Sequence, residues 1–184
     1  MQYEIIETKL PGCFEVLPRI YTDERGTFVK TFHEETFEKK GLETYFAEDY
    51  YSFSSNRVLR GLHFHLPPKD HVKLVYCVSG RVQDAVVDLR VGSPTFGEHQ
   101  IFEVSAEKAN MIYMPKGVAH GFYVESDSAI MMYKVTTAYS PDHDTGILWD
   151  SAHIQWPDKN PVISNRDSKF PAFSDFQSPF CFDE

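Results

Sequence analysis

Residues 60–90, RGLHFHLPPKDHVKLVYCVSGRVQDAVVDLR, decide the fold that we expect for this chain. They contain two apolar runs, 73–78 and 82–89, on either side of Ser79-Gly80, which is the pattern of two strands joined by a tight turn. We therefore predict a hairpin here. Alternate residues of the second run form two sets, and neither set is uniformly polar. Both faces of this strand are thus expected to meet other protein, as in a barrel or a sandwich.

The histidines of the same stretch indicate a lined cavity. His63 and His65 stand two residues apart in an extended segment and therefore point to the same side. The same spacing relates His71 and Lys73. Side chains arranged in this way can line the interior of a barrel.

Composition favours one β-rich globular domain over residues 1–184. Of the 184 residues, 42% are hydrophobic and 15% aromatic, which is typical of a packed β protein. The net charge of -9 and the lack of a Lys/Arg-rich run argue against nucleic acid as a partner. An anionic small molecule needs a local cationic pocket instead.

The cysteines and the N-terminal residues predict a cytoplasmic protein. Cys13, Cys77 and Cys181 are odd in number and have no metal-ligand or redox spacing, which favours a reducing compartment. The first residues lack a basic leader followed by an apolar segment, and no apolar run reaches membrane-spanning length. We expect a soluble protein without a membrane partner.

The rest of the chain reads as short strands with few helices. A turn at 23–26 separates two β-like flanks in 20–32, residues 44–54 form an aromatic strand, and 34–40 is the best helix candidate. This pattern predicts an all-β jelly roll or small barrel. Residues 150–184 are irregular and rich in proline, so we expect them to wrap over the barrel. The phenylalanines of 170–184 need a surface to cover, either on this barrel or on a partner subunit.

One turn pattern resembles the cupin superfamily. Pro115-x-Gly117-x-x-His120 follows the His63-x-His65 segment, and cupins are barrels that often hold a metal on paired histidines, a glutamate and a later histidine. Here no glutamate stands four or five residues after His65. A metal-binding cupin enzyme, such as a sugar isomerase or dioxygenase, stays an alternative. Its ligands would be His63, His65, His71 and His120.

A closer resemblance covers nearly the whole chain. It rests on ordered matches, which are Asp23-Glu24-Arg25-Gly26, Leu59-Arg60-Gly61-Leu62-His63-Phe64, Lys73-Leu74-Val75, Gly92-Ser93-Pro94-Thr95-Phe96-Gly97, Pro115-x-Gly117-x-x-His120-Gly121-Phe122, Tyr133-x-x-Thr136, Tyr139 and Ile163-Ser164-x-Arg166-Asp167. These segments resemble the dTDP-4-dehydrorhamnose 3,5-epimerase family. The resemblance implies a cupin-like barrel without metal or cofactor, a homodimer, and inversion of carbons next to the ketone of a nucleotide-linked 4-keto-6-deoxy sugar. Such reactions serve deoxysugar biosynthesis of the O-antigen type.

The resemblance also implies four catalytic residues. A hydrogen beside a ketone is weakly acidic, so the reaction needs a base, a stabiliser for the enolate oxygen and an acid on the opposite face. His63 matches the base, Asp167 the carboxylate that orients it, and Lys73 the cation beside the ketone. Tyr133 matches the acid. Taken alone, each of these residues could equally serve in structure.

The substrate-binding residues implied by the resemblance surround a nucleotide diphosphate. Arg25 and Arg60 match positions near the phosphates, where guanidinium groups suit oxygen pairs. His120 adds a donor, and Tyr139 matches a residue that contacts the base.

The sequence departs from the family pattern at positions that recognise the substrate. The family's Gln-x-Asn pair is replaced by Glu48 and Tyr50. Two family glutamines are replaced by His65 and His71, and a family glutamate by Asp144. Of these five residues, all except His71 are predicted to contact the substrate. An ionised carboxylate only accepts hydrogen bonds, which suits the amino group of cytosine. The sequence therefore favours a CDP-linked sugar, with a dTDP-linked one possible. We expect inversion at carbon 3 first, with carbon 5 open. A sugar-binding module without catalysis is the remaining alternative.

Overall fold

The structure, a computed structural model, describes residues 3–182 and consists almost wholly of antiparallel strands. Within this part the one α-helix, α1 (Glu34–Glu38), agrees with the predicted helix, and two 3-10 helices cover Asp167–Lys169 and Phe173–Asp175. The strands are β1 (Tyr3–Glu7), β2 (Phe14–Pro18), β3 (Ile20–Asp23), β4 (Gly26–Val29), β5 (Glu48–Ser55), β6 (Leu59–His65), β7 (Lys73–Ser79), β8 (Arg81–Asp88), β9 (His99–Ser105), β10 (Met111–Met114), β11 (Val118–Val124), β12 (Ser128–Val135) and β13 (Asp144–Gly146).

Two sheets face each other and enclose the main core. One has six strands in the order β1-β2-β10-β7-β12-β5, and the other has five in the order β13-β6-β11-β8-β9. Val75 and Met131 of the first sheet pack with Val86 and Phe122 of the second. Burial of such side chains between two sheets is the main force that holds them together. The predicted all-β cupin-like jelly roll is confirmed.

The predicted hairpin at Ser79-Gly80 is wrong. β7 pairs with β10 and β12, whereas β8 pairs with β11 and β9. The turn at Gly80 therefore passes the chain from one sheet to the other. Gly80 has φ 82°, and the next amide, that of Arg81, donates to Ser126 Oγ. A glycine turn between two apolar strands fits a hairpin and a sheet-to-sheet corner equally well, so the local pattern could not separate them.

The other predicted elements agree with the structure to different degrees. The β3–β4 hairpin with its turn at Asp23–Gly26 is confirmed. By contrast, strand β11 occupies 118–124 and so includes His120, which we expected at the end of a turn, and β5 begins at Glu48 rather than at residue 44. None of the helices formed by residues 3–182 is long and apolar enough to cross a membrane.

The C-terminal segment covers the outer face of the five-stranded sheet. Ala85 and Val87, on the outward side of β8, pack in one cluster with Ile154 and Phe180, and Phe173 and Phe176 lie against this cluster. A β-bridge joins Val91 to Cys181. Both faces of β8 are thus buried, as predicted, and these phenylalanines pack on their own barrel.

Candidate active site

A cavity of about 250 Å³ opens between the two sheets. The register of β6 with β11 places His63 opposite His120 on one wall, and β7 and β12 supply Lys73 and Tyr133 from the other. Nine of the residues predicted to be catalytic or to bind substrate line this cavity, namely His63, Lys73, Tyr133, Arg60, His120, Tyr139, Tyr50, Asp144 and His65.

His63 is backed by a buried carboxylate. Its Nε2 lies 3.0 Å from Oδ2 of Asp167, which is close enough for an ion pair. The ring N–H does not point straight at the oxygen, so the contact is not a well-aligned hydrogen bond. Burial lowers the pKa of His63 from its ordinary value, although Asp167 opposes this change. Burial would raise the pKa of Asp167, but His63 and the Gly61 N–H outweigh it and bring that pKa to about 2. The pair is therefore a neutral imidazole beside an ionised carboxylate at neutral pH.

Lys73 carries a buried amine that has no ionic partner within residues 3–182. Its residue is only 7% exposed, and among residues 3–182 no carboxylate lies within 4.0 Å of its Nζ. Burial lowers its pKa to about 8, partly offset by Asp144 and Asp84. A cation held in this way is costly unless negative charge arrives beside it. The position suits a group that stabilises a developing oxyanion.

Tyr133 is fixed by two residues of β5. Its ring stacks on that of Tyr50, with centroids 4.8 Å apart and planes 13° from parallel. Its hydroxyl lies 3.0 Å from Ser52 Oγ. Burial raises the pKa of Tyr133 well above that of free tyrosine. The phenol therefore stays protonated at neutral pH.

Three further cationic or imidazole groups surround the cavity. Arg60 is held by Ser54, whose Oγ accepts from its Nε at 2.9 Å. Arg166 donates to Asp144 and lies beside Asp167. The buried His120 has Nε2 2.7 Å from Asp84 Oδ2. Because Arg166 and His120 face carboxylates of their own, the positive charge left for an anionic ligand is that of Arg60 and Lys73, which form no ion pair within residues 3–182.

Glu48 and Tyr139 lie together at an adjoining cavity of about 230 Å³, whose wall also includes Tyr50 and His65. One oxygen of Glu48 accepts the backbone N–H of Tyr139 at 2.8 Å. This carboxylate is therefore already used in holding Tyr139, which weakens the argument that it reads the amino group of cytosine.

Arg25 is the predicted site residue that lies away from both cavities and from the residues that line them. It lies in the exposed β3–β4 hairpin, where its guanidinium pairs with Asp23. Ser52 and Arg166 line the cavity but were not among the predicted site residues. Arg166 stood beside Asp167 in a quoted motif and could have been found there. Ser52 gave no signal, because a serine in an aromatic strand has many ordinary roles.

The histidines are not arranged as a metal site. Within residues 3–182 no three His, Cys, Asp or Glu side chains come together as ligands. His63 and His120 each face their own aspartate, Asp167 and Asp84. This geometry does not support the metal-binding alternative.

Comparison with known proteins gives a consistent result. Residues 7–175 match the model of the dTDP-4-dehydrorhamnose 3,5-epimerase family. A protein of that name from Shigella flexneri is 41% identical over 174 residues, which cover 93% of this chain and 96% of that protein.

Two solved structures extend the comparison. The first is a dTDP-6-deoxy-D-glucose-3,5-epimerase from Legionella pneumophila in complex with dTDP-4-keto-L-rhamnose. It has a TM-score of 0.94 at 34% identity, covering 99% of this chain and 100% of that one. The second is a 3'-monoepimerase from Streptomyces bikiniensis in complex with dTDP-quinovose. It has a TM-score of 0.86 at 30% identity, with coverage of 92% and 87%.

Proposed function

The chain belongs to the dTDP-4-dehydrorhamnose 3,5-epimerase family, and from that premise we propose that it inverts carbons 3 and 5 of a dTDP-linked 4-keto-6-deoxyhexose. It is an isomerase that acts on a nucleotide-linked sugar. The observation that carries the proposal is the placement of His63 and Tyr133 on opposite walls of one cavity. An epimerase needs a base on one face of the sugar ring and an acid on the other.

In the proposed reaction His63 removes the proton beside the ketone. Asp167 contacts Nε2, so Nδ1 is the nitrogen that accepts the proton. The ionised Asp167 then stabilises the imidazolium that forms. Its buried place beside the Gly61 amide, which donates to Oδ2 at 3.2 Å, keeps it oriented toward His63.

Lys73 stabilises the enolate oxygen that forms at carbon 4. Its ammonium faces the cavity without a carboxylate partner among residues 3–182, so its charge is available to the substrate. In a site with little water such a charge acts strongly on a developing oxyanion. Tyr133 then delivers a proton to the opposite face of the same carbon, and the ketone re-forms.

We assign binding of the diphosphate to Arg60 and His120. Tyr139 is assigned to contact the nucleobase. The expectation of a CDP-linked sugar has no support in the relatives reported above, whose names carry dTDP where they name a nucleotide. The internal hydrogen bond of Glu48 with Tyr139 also weakens its main physical argument. We therefore propose thymidine as the nucleoside.

The number of inverted carbons separates two versions of this activity. Inversion at both carbon 3 and carbon 5 agrees with the names of the Shigella and Legionella relatives. Inversion at carbon 3 alone, our first expectation from the sequence, agrees with the name of the Streptomyces bikiniensis protein. Since one base serves both carbons in the proposed reaction, the outcome depends on how the ring lies in the cavity.

We also propose that the protein is a homodimer in which the β3–β4 hairpin reaches the partner. Phe28 is 62% exposed, and Ile20 and Tyr21 of the same hairpin are exposed as well. Strand β5 is an open sheet edge with Tyr51 and Phe53 exposed. Apolar groups on an arm and on an edge strand favour a covering subunit. The arm then carries Arg25 to the phosphates of the partner's substrate.

The proposal is tested by NMR in deuterated water. The protein is incubated with 4-keto-6-deoxyglucose carried on dTDP and, in parallel, on CDP. We expect deuterium at carbons 3 and 5 and inverted product with the dTDP substrate. Deuterium at carbon 3 alone selects the monoepimerase version, and a preference for CDP contradicts the choice of nucleotide. Absence of exchange with both substrates, in folded protein, contradicts the epimerase assignment for this chain.

A further inference from the structure

We infer that Ser52 is a positioning residue for the acid of this reaction, because it orients the Tyr133 hydroxyl and donates to the phenolate when the proton leaves. The inference rests on the proposed function. It concerns a serine that the sequence did not single out and that lies on the open edge strand β5.

Strand β5 contacts Tyr133 through two side chains. The register of β5 with β12 sets Tyr50 directly opposite Tyr133, and Ser52 stands two residues further on the same face of β5. Tyr50 lies against the ring of Tyr133, and Ser52 contacts its hydroxyl at 3.0 Å. The ring plane and the oxygen are thus both held by one strand.

The direction of the Ser52–Tyr133 hydrogen bond decides whether the acid can work. A phenol has one proton and can also accept. When Ser52 donates to the Tyr133 oxygen, the phenol proton is free to point at the substrate carbon. The opposite arrangement withholds that proton. Ser52 is the hydrogen-bond partner that residues 3–182 provide for this hydroxyl.

Proton delivery also leaves a charge that must be stabilised. The electron pair of the enolate forms the new C–H bond, the O–H bond of Tyr133 breaks, and the ketone is restored. Tyr133 becomes a phenolate, which accepts hydrogen bonds only, and water at the cavity later replaces its proton. Tyr133 is almost fully buried, so burial disfavours this anion. The Ser52 hydroxyl then makes a charge-assisted hydrogen bond, which is stronger than a neutral one.

The test separates proton removal from proton delivery. Ser52→Ala protein is incubated with dTDP-4-keto-6-deoxyglucose in deuterated water, and NMR measures deuterium incorporated with retention and with inversion. Return of a deuteron by His63 gives exchange with retention, whereas delivery by Tyr133 gives inversion. We expect inversion to fall by about 10- to 100-fold, the loss of one hydrogen bond to a charged group. Exchange by His63 continues at close to the wild-type rate.

Three further variants serve as controls. Ser52→Thr keeps a hydroxyl and is expected to recover most of the inversion. Ser52→Cys keeps the size but is a poor donor, so it should resemble Ser52→Ala even if alanine disturbs the strand. Ser55→Ala removes an exposed serine from the same strand, without a contact to Tyr133, and should behave as wild type.

The outcomes distinguish this inference from the proposed function. An unchanged ratio of inversion to exchange in both Ser52→Ala and Ser52→Cys overturns the role of Ser52, as does an equal loss of the two reactions. If the wild-type protein itself neither exchanges nor inverts this substrate, the epimerase proposal fails, and the role of Ser52 fails with it.

Discussion

Burial acts differently on the three ionisable groups that the proposed reaction uses. It lowers the pKa of His63 and of Lys73, the latter to about 8, since both become charged by gaining a proton. In Asp167 the opposing contacts with His63 and Gly61 prevail and bring the pKa to about 2. At pH 7 these shifts leave a neutral base, a charged lysine and an ionised aspartate. Each is in the state that proton abstraction beside a ketone requires.

The pH dependence of kcat/KM follows from these shifts. His63 is active when neutral, so activity rises with pH through an acidic limb that lies below its ordinary value of 6.5. Lys73 is active when protonated, so activity falls as pH rises through about 8. Steady-state rates across pH 5–10 measure both limbs. In Lys73→Arg the cation stays charged, and we expect a lower rate without the alkaline limb; an unchanged fall near pH 8 in that variant contradicts the role of Lys73.

The sequence identified most of the site because its residues lie in dense motifs. His63 and Arg60 belong to one segment, and Asp167 to another, so matching a segment located several side chains at once. Arg25 was matched equally well, but the single chain leaves it on an exposed arm. Its place is decided by assembly, which a motif does not describe. Ser52 was missed because only the pairing of β5 with β12 brings it to Tyr133.

Among the glycines of residues 3–182, Gly80 leaves the least room for a side chain. A Cβ atom at this position would lie 2.1 Å from the carbonyl oxygen of Ser128, and the backbone has φ 82°. The turn therefore needs glycine for its conformation and also for the close approach of the β12 backbone. This approach holds the corner where the chain leaves one sheet and enters the other.

Gly80→Ala should be strongly destabilising for both reasons. We expect a loss of roughly 2–4 kcal/mol in the free energy of unfolding, from backbone strain plus overpacking. Gly92→Ala is the matched control, because Gly92 has φ 89° but no atom of the described residues within 4 Å of its Cβ position. It should lose about 1–2 kcal/mol. Urea unfolding of both variants measures the difference, and equal losses would show that the contact with Ser128 is unimportant.

Alternation and turn residues predicted whether a segment is a strand or a helix. They predicted less well which strands pair with each other. The β3–β4 hairpin and α1 were both expected, because their flanking turns are local signals. The pairing of β7 with β10 and β12 depends on contacts far along the chain. Local sequence does not encode such pairing, so the corner at Gly80 was interpreted as a hairpin.

At the scale of the whole molecule, the C-terminal segment and the barrel share buried contacts. Phe176 and Phe180 pack on Phe64, which lies on β6 beside the catalytic candidate His63. We propose that residues 1–184 form one domain that unfolds cooperatively. Circular dichroism reports the strands, and the fluorescence of Trp149 and Trp156 reports the segment. We expect coincident transitions; separate midpoints would indicate that the segment detaches independently.

The proposed dimer predicts that two impaired variants complement each other. Arg25→Ala should weaken the partner's site, and His63→Asn should inactivate its own. In a mixed dimer, the site with His63 receives Arg25 from the His63→Asn subunit. We expect activity in mixtures of refolded subunits to exceed the sum of the separate variants. No recovery, in samples shown by ultracentrifugation to contain mixed dimers, contradicts a role of Arg25 across the interface.

The role of His63 is tested most directly by the exchange of substrate hydrogen in deuterated water, measured with His63→Asn protein. Because His63 is proposed as the base that removes the proton, this variant should lose deuterium incorporation at carbon 3 and carbon 5 together with inversion. Tyr133→Phe should still incorporate deuterium while losing inversion. Deuterium incorporation by folded His63→Asn protein at the wild-type rate would contradict the central claim, because another group would then be the base.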